Sequence, residues 1–102
     1  DLDGLSPEVE QSIYRITEEA LNNAARHAQA QAVTISLHRE QHRLRLTVSD
    51  DGIGFDPDTV SLDDHYGLVG MRERALLCSG QLDIVSAPAT GTTIRLTVED
   101  GL

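Results

Sequence analysis

Two segments of this chain alternate apolar and polar residues almost without error. In "LRLTVSD" Leu44, Leu46 and Val48 share one face, and in "TTIRLTVED" Ile94, Leu96 and Val98 do. Side chains of a strand point to opposite faces with a period of two. Each run therefore makes a strand with one apolar face, and a sheet built from such strands needs a covering layer. "AVTISLHRE" alternates in the same way through Val33, Ile35 and Leu37 and is expected to be half buried. The polar "EQHR" after it reads as a hairpin turn. "QLDIVSA" is a further short strand, joined to the last one by the turn "PATG".

The covering layer comes from two helical segments. Ser6, Pro7 and Glu8 form a start signal: a capping hydroxyl, proline at the first helical position, then an acid in the first turn. Val9, Ile13, Ile16, Ala20, Ala24 and Ala28 then recur near helical spacing, with an end expected around His27 to Gln29. "GLVGMRERALLCSG" reads as a second helix, begun by glycines and stopped at Gly80, with Leu68, Met71, Ala75 and Cys78 inward. The order helix, strand, strand, loop, helix, strand, strand predicts a single α+β domain over residues 1–102. Its helices lie on one face of a largely antiparallel sheet, a two-layer sandwich.

Strand parity then singles out two polar residues. Asp50 shares the parity of Leu44, Leu46 and Val48, whereas Asp51 points the other way. Thr92 shares the parity of Ile94, Leu96 and Val98. A carboxylate at the end of a core-facing row is unfavourable unless something pairs with it. One reading makes Asp50 and Thr92 the frame of a small cavity that accepts hydrogen bonds from a ligand, such as the exocyclic amine of adenine. The other makes Asp50 the cap of the following turn and Thr92 a plain strand start. Asp50, Gly52 and Gly54 form D-x-G-x-G, in which glycine permits a positive φ and close backbone approach. Gly67 and Gly70 form a second pair at the start of the second helix, where free amides favour an anion.

The stretch "RITEEALNNAARHA" puts Glu19, Asn22, Asn23, Arg26 and His27 on an otherwise alanine-rich helix. Residues three or four apart are helix-surface neighbours. Glu19, Asn23 and Arg26 thus offer a carboxylate, an amide and a guanidinium along one stripe, groups suited to a hydrated divalent cation and a phosphate chain. The pairing of Glu18 with Asn22 has an equally good spacing, and a solvated polar face is the plain alternative. Two adjacent asparagines in mid-helix are poor helix formers, a cost that suggests a purpose.

Charge narrows the ligand classes. Eight basic against 17 acidic residues give a net charge of −9, which argues against a nucleic-acid or anionic-membrane surface. Every basic residue is arginine. Phosphate contacts must then come from arginine, histidine, backbone amides or a metal ion. One cysteine, Cys78, excludes an internal disulfide and a cysteine-based zinc site. No apolar run reaches the ~18–20 residues of a membrane helix. The opening "DLDGLSPEVE" reads as an approach to a helix rather than a signal peptide, so the chain is expected to be an excised domain.

Taken in order, these motifs resemble those of the ATP-binding catalytic domain of bacterial two-component sensor histidine kinases, in the GHKL superfamily. "YRITEEALNNAARHA" is similar to the family's N box, "DDGIGF" and "GLVGMRERA" to its two glycine boxes, and "GTTIRLTV" to its last glycine–threonine segment. The wording of "GLVGMRERA" and the short loop between Gly54 and Gly67 look most like the subgroup that pairs with NarL-type regulators. The resemblance covers nearly the whole chain and implies the Bergerat fold, helices on one face of a mostly antiparallel mixed sheet.

It also implies roles. Glu19 would be the catalytic acid that orients water or a base near the transferred phosphate, and Asn23 the Mg²⁺ ligand. Arg26 would face the phosphates and His27 the nucleotide. Asp50 would read the adenine amine with Thr92 in support, and Gly52 and Gly54 would shape that pocket. A lid is expected from Phe55 to Tyr66, with Gly67 and Gly70 as its hinge and phosphate-facing turn. Because the lid is acidic, backbone amides from Gly67 through Leu68 to Met71, with Arg72, are expected to make the phosphate contacts. The resemblance favours Glu19 with Asn23 over Glu18 with Asn22.

The implied ligands are ATP and Mg²⁺. The implied partners are the dimerisation domain that carries the phosphoacceptor histidine and, through it, a response regulator. That helix is not in the chain, and His27, His38, His42 and His65 do not sit in such a motif. A monomeric cytoplasmic fragment of a kinase, itself open to membrane anchoring, is therefore expected. The rival expectation is an anti-sigma-factor-like module of the same superfamily that phosphorylates a serine or holds a partner.

Overall fold

The computed structural model of the chain describes residues 5–26, 30–54, 67–87 and 89–99. The elements run α1 (Pro7–Arg26), β1 (Val33–Glu40), β2 (Arg43–Asp50), α2 (Leu68–Leu77), β3 (Gln81–Ser86) and β4 (Thr92–Glu99). The strands form one sheet in the order β1-β2-β4-β3, and every described pair is antiparallel. Both helices pack on one face of it, α1 over β2 and β4 and α2 over β3. This is the two-layer α+β arrangement expected from the alternating runs.

Local chemistry starts and stops the helices where the sequence indicates. The Ser6 hydroxyl accepts the Val9 amide at 3.2 Å, satisfying one of the free amides of the first turn. Val9, Ile16, Ala20 and Ala24 are buried and Ile13 is half-buried. Ala28 and the expected end of α1 beyond Arg26 lie outside the described residues. Ser12 completes the buried stripe. Its hydroxyl donates to the Arg74 carbonyl at 2.9 Å, so α1 and α2 are tied by a polar bond as well as by packing. On α2, Leu68, Met71, Ala75 and Cys78 are all buried, as their spacing predicts.

α2 stops by a different route from the one expected. Ser79, not Gly80, takes the left-handed conformation, with φ 56. The Ser79 amide bonds the Leu76 carbonyl at 3.1 Å and the Gly80 amide the Ala75 carbonyl at 2.8 Å. This is a Schellman closure with serine at its left-handed position. Gly80 is needed for space. A Cβ there would press on Leu96 Cδ1 at 3.0 Å and on the Thr97 carbonyl at 3.1 Å.

The register arranges the covered face in rows across all four strands. Leu37, Leu46, Leu96 and Leu82 form one row, and Ile35, Val48, Ile94 and Ile84 the next. Each fully buried aliphatic side chain in these rows contributes about 1.5–3 kcal/mol. The expectation of a half-buried β1 is corrected: Ile35 is 49% and Leu37 38% exposed. Both point to the helical side, as parity requires. β1, however, is an edge strand beyond the main footprint of α1, so the covering layer does not reach them. Among the described residues, no helix is long and apolar enough to cross a membrane.

Candidate functional site

The third row of the covered face is polar. Asp50 lies opposite Thr92, and Thr92 opposite Ser86, so β2, β4 and β3 end together in a carboxylate and two hydroxyls. The apolar rows give way here, at the end of the sheet nearest the C-terminal part of α1. Asp50 Oδ1 accepts the Gly52 amide at 2.8 Å, so it does cap the following turn. Thr92 is 8% exposed and pairs with the Ser86 hydroxyl at 2.8 Å. The Ser86 hydroxyl donates to the Gly91 carbonyl at 3.2 Å, which makes Thr92 the donor in its pair with Ser86. The oxygens of Asp50 and Thr92 therefore remain acceptors toward the covered face. Such a floor suits a ligand edge that donates. Ser86 went unnoticed in the sequence, although it has the parity of Leu82 and Ile84.

Glycines hold this floor in place. Gly54 has φ 68, and a Cβ on it would run into the Ala87 carbonyl. Gly91 has φ 78, and a Cβ on it would run into the Asp50 carbonyl. The loop after β2 and the turn before β4 thus interlock at main-chain distance, helped by the Ala89 amide on the Ile53 carbonyl. Gly52 is not left-handed; its contribution is the amide that Asp50 receives.

The wall above the floor is the flank of α1 that faces α2, and burial separates the two registers left open by spacing. Glu18 and Asn22 are exposed, whereas Glu19 and Asn23 are half-buried. Glu18 pairs with Arg15 at 3.3 Å at the rim of the groove between the helices. Glu19 packs against Gly67, the left-handed residue that precedes α2, with φ 70. A side chain at Gly67 would overlap Glu19 Cγ and Cδ and approach Oε2 within 2.7 Å. Any side chain there would have to displace the flexible end of Glu19, and the left-handed conformation favours glycine. Its carboxylate neighbour sits at the positive end of α2, where a negative group is favoured. Asn23 lies one turn along from Glu19, and exposed Arg26 ends the helix.

Other expected site residues divide clearly. Leu68 is 6% and Met71 2% exposed, so their side chains belong to the core. The Met71 amide is taken by the Gly67 carbonyl at 3.0 Å. Gly70 is exposed, with nothing within 4 Å of a Cβ built on it. Arg72 is exposed, and the groove between the helices is lined by Arg74 from α2 and Arg15 from α1. His27, His65 and the expected lid over Phe55–Tyr66 lie outside the described residues.

One more group fixes the wall to the floor. The Asp51 carboxylate accepts the amides of Gln31 at 2.9 Å and Ala32 at 3.1 Å, between α1 and β1. These bonds, led by the Ala32 amide, hold its pKa below the ordinary value. No sequence pattern announces this role, because Asp51 and its partners meet only after β1 and β2 pair.

Among the described residues no three acidic, histidine or cysteine side chains cluster as a metal site.

Comparison with known proteins accords with this geometry. Residues 8–101 match the family described as histidine kinase-, DNA gyrase B-, and HSP90-like ATPase. The sensor protein VraS of Staphylococcus haemolyticus is 42% identical over 88 residues, covering 86% of this chain and 25% of that protein. The chain thus spans about a quarter of the length of the curated relatives it matches. Among solved structures, the ATP binding domain of PrrB from Mycobacterium tuberculosis superposes with a TM-score of 0.72 at 20% identity. That match covers 93% of this chain and 68% of the other. Full-length ShkA in complex with AMPPNP gives 0.69 at 18% identity, covering 86% and 21%. Both structural likenesses are of fold.

Proposed function

This chain belongs to the histidine kinase-, DNA gyrase B- and HSP90-like ATPase family, as the catalytic ATPase domain of a sensor histidine kinase, and from that premise we propose how its residues bind ATP and pass on the γ-phosphoryl group. The observation that carries the reading is the polar row. Asp50, Thr92 and Ser86 interrupt the apolar face on which α1 packs, and α1 carries Glu19 and Asn23 half-buried. Adenine offers its exocyclic amine to the Asp50 and Thr92 oxygens. The phosphates then run toward the groove between α1 and α2, past Asn23 and the turn at Gly67 to Gly70.

Mg²⁺ suits this donor set. It binds through one or two protein oxygens while keeping water and sharing substrate phosphates. The Asn23 amide oxygen is the protein ligand offered. When bound, the ion offsets phosphate charge. The chain's own part is positioning and electrostatics. Arg26 stands one turn beyond Asn23 to meet phosphate.

The acceptor is a histidine on a separate dimerisation domain. Its imidazole nitrogen forms the new bond to the γ-phosphorus. The bond to the bridging oxygen breaks, and ADP leaves with that electron pair. The ring becomes positively charged, and the Glu19 carboxylate offsets that charge and orients the proton acceptor. The phosphoryl group then passes to a response regulator of the NarL type.

The test is calorimetry of the chain with a non-hydrolysable ATP analogue and Mg²⁺. Asp50→Asn keeps an oxygen to cap Gly52 but can set an NH₂ group against the adenine amine. Loss of a charge-assisted bond predicts binding weaker by about 10- to 100-fold. Unchanged affinity would remove Asp50 from the site. With ATP and a supplied histidine-bearing dimerisation domain, acid-labile phosphohistidine is expected. Acid-stable phosphoserine on a partner would point instead to the serine-kinase branch.

A further inference from the structure

Below Glu19, the groove between the helices continues as a cavity of about 170 Å³ lined by Arg15, Glu18, Glu19, Gly70, Met71 and Arg74. The helices run antiparallel along it. Glu19 meets Gly67 at its upper end, and Ser12 holds the Arg74 carbonyl at its lower end. Asn23 follows one turn beyond Glu19 on α1. On the nucleotide reading, a phosphate chain that passes Asn23 along α1 has this cavity as its next recess.

Two guanidiniums line the cavity, and they are in different states. Arg15 is engaged: it pairs with Glu18 at 3.3 Å, and its guanidinium lies 5.8 Å from the centre of the Tyr14 ring. Arg74 is half-buried, and among the described residues its guanidinium makes no hydrogen bond or ion pair. Arg95, on the face of β4 away from the helices, is also half-buried and its Nε lacks a partner, but Arg74 is the one of the two that lines the groove between the helices. Its main chain is pinned by Ser12, which is 1% exposed, and its neighbour Ala75 is buried. Gly70, one turn before Arg74, presents no side chain to the same cavity, leaving room for a ligand.

We propose that Arg74 binds the terminal phosphate of the nucleotide in this cavity and makes the domain prefer ATP to ADP. The inference rests on the nucleotide reading of the site and adds a residue and a selectivity to it. Arg26 then serves the upper phosphates at the end of α1, and Arg74 the γ-phosphate between the helices. A planar guanidinium matches phosphate oxygens in two parallel bonds, and the loss of water in a half-buried groove strengthens them.

The test compares an ATP analogue with ADP, both with Mg²⁺, by calorimetry on the wild-type chain and three variants. The wild type should bind the analogue more tightly than ADP. Arg74→Gln should weaken the analogue by about tenfold and leave ADP within about twofold. Arg74→Lys should recover part of the loss, and Arg43→Gln, at the end of β2 away from Asp50, should leave both affinities unchanged. An equal loss for both nucleotides in Arg74→Gln and Arg74→Lys would mark a merely structural role and overturn the inference. So would an unchanged analogue affinity in Arg74→Gln. A wild type that binds neither nucleotide would overturn the underlying nucleotide reading itself, which separates the two failures.

Discussion

Strands β4 and β1 are each eight residues long and alternate apolar with polar side chains, yet Leu96 is 1% exposed and Leu37 38%. Both leucines point to the helical side, and both belong to the same row across the sheet. β4 has neighbours on both edges and helices above it. β1 pairs with β2 alone, at the margin of the sheet. Period two says which way a side chain points. How deeply it is buried depends on where its strand stands in the sheet. That difference also explains the position of the site: the polar row is walled in where it crosses β2, β4 and β3, the strands under the helices.

The sharpest way to break this comparison is a matched pair of truncations. Leu96→Ala should destabilise the domain by about 2–5 kcal/mol, the usual cost of opening a cavity in a packed core. Leu37→Ala should cost about 1 kcal/mol or less, because much of that side chain already meets water. Urea unfolding midpoints measure both. Equal losses would mean that β1 is covered to the same depth as β4.

The two strands also begin by different means, and both means depend on the end of β2. β4 is preceded by Gly91, which packs on the Asp50 carbonyl with φ 78. Gly91→Ala would put a side chain into that carbonyl and hold alanine in a left-handed conformation. A left-handed non-glycine residue alone costs about 1–2 kcal/mol, and the steric clash adds to it. A lower thermal midpoint, with weaker nucleotide binding as the Asp50 floor shifts, is the expected result. An unaltered midpoint would show that the turn accommodates the change.

β1 is preceded by Gln31 and Ala32, whose amides the Asp51 carboxylate receives. This is the smallest effect, and it carries a pH signature. The folded state lowers the Asp51 pKa from its ordinary 3.8. The ionised carboxylate therefore adds stability above that ordinary value, and the contribution is lost as the pH falls through the lower, folded value. Asp51→Asn should thus be less stable than the wild type at neutral pH. The gap should narrow as the pH drops below 3.8 and close once the carboxyl is protonated. A gap independent of pH would mean that the amides, rather than the charge, account for the difference.

Much of the fold was legible because its cues are local. Ser6 and Pro7 announce α1, Leu68 with Met71, Ala75 and Cys78 give the inner stripe of α2, and two alternating runs give the central strands. The facing of Asp50 and Thr92 was also legible, since parity carries to the end of a strand. What was not legible involved meetings between elements. Spacing does not tell Glu19 with Asn23 from Glu18 with Asn22, because both pairs are four apart, and the difference in their burial arises only once α1 is packed.

The sequence alone thus determined periodicity, parity and caps, which follow from backbone geometry within a few residues. Tertiary structure alone decided depth and company. It left Ile35 and Leu37 in water, placed Ser86 beside Thr92, and brought the Asp51 carboxylate to the amides before β1. It also set Glu19 against Gly67 across the groove. Burial and contact arise from chain segments far apart in sequence, so no local pattern can encode which of two equally spaced side chains will find a neighbour.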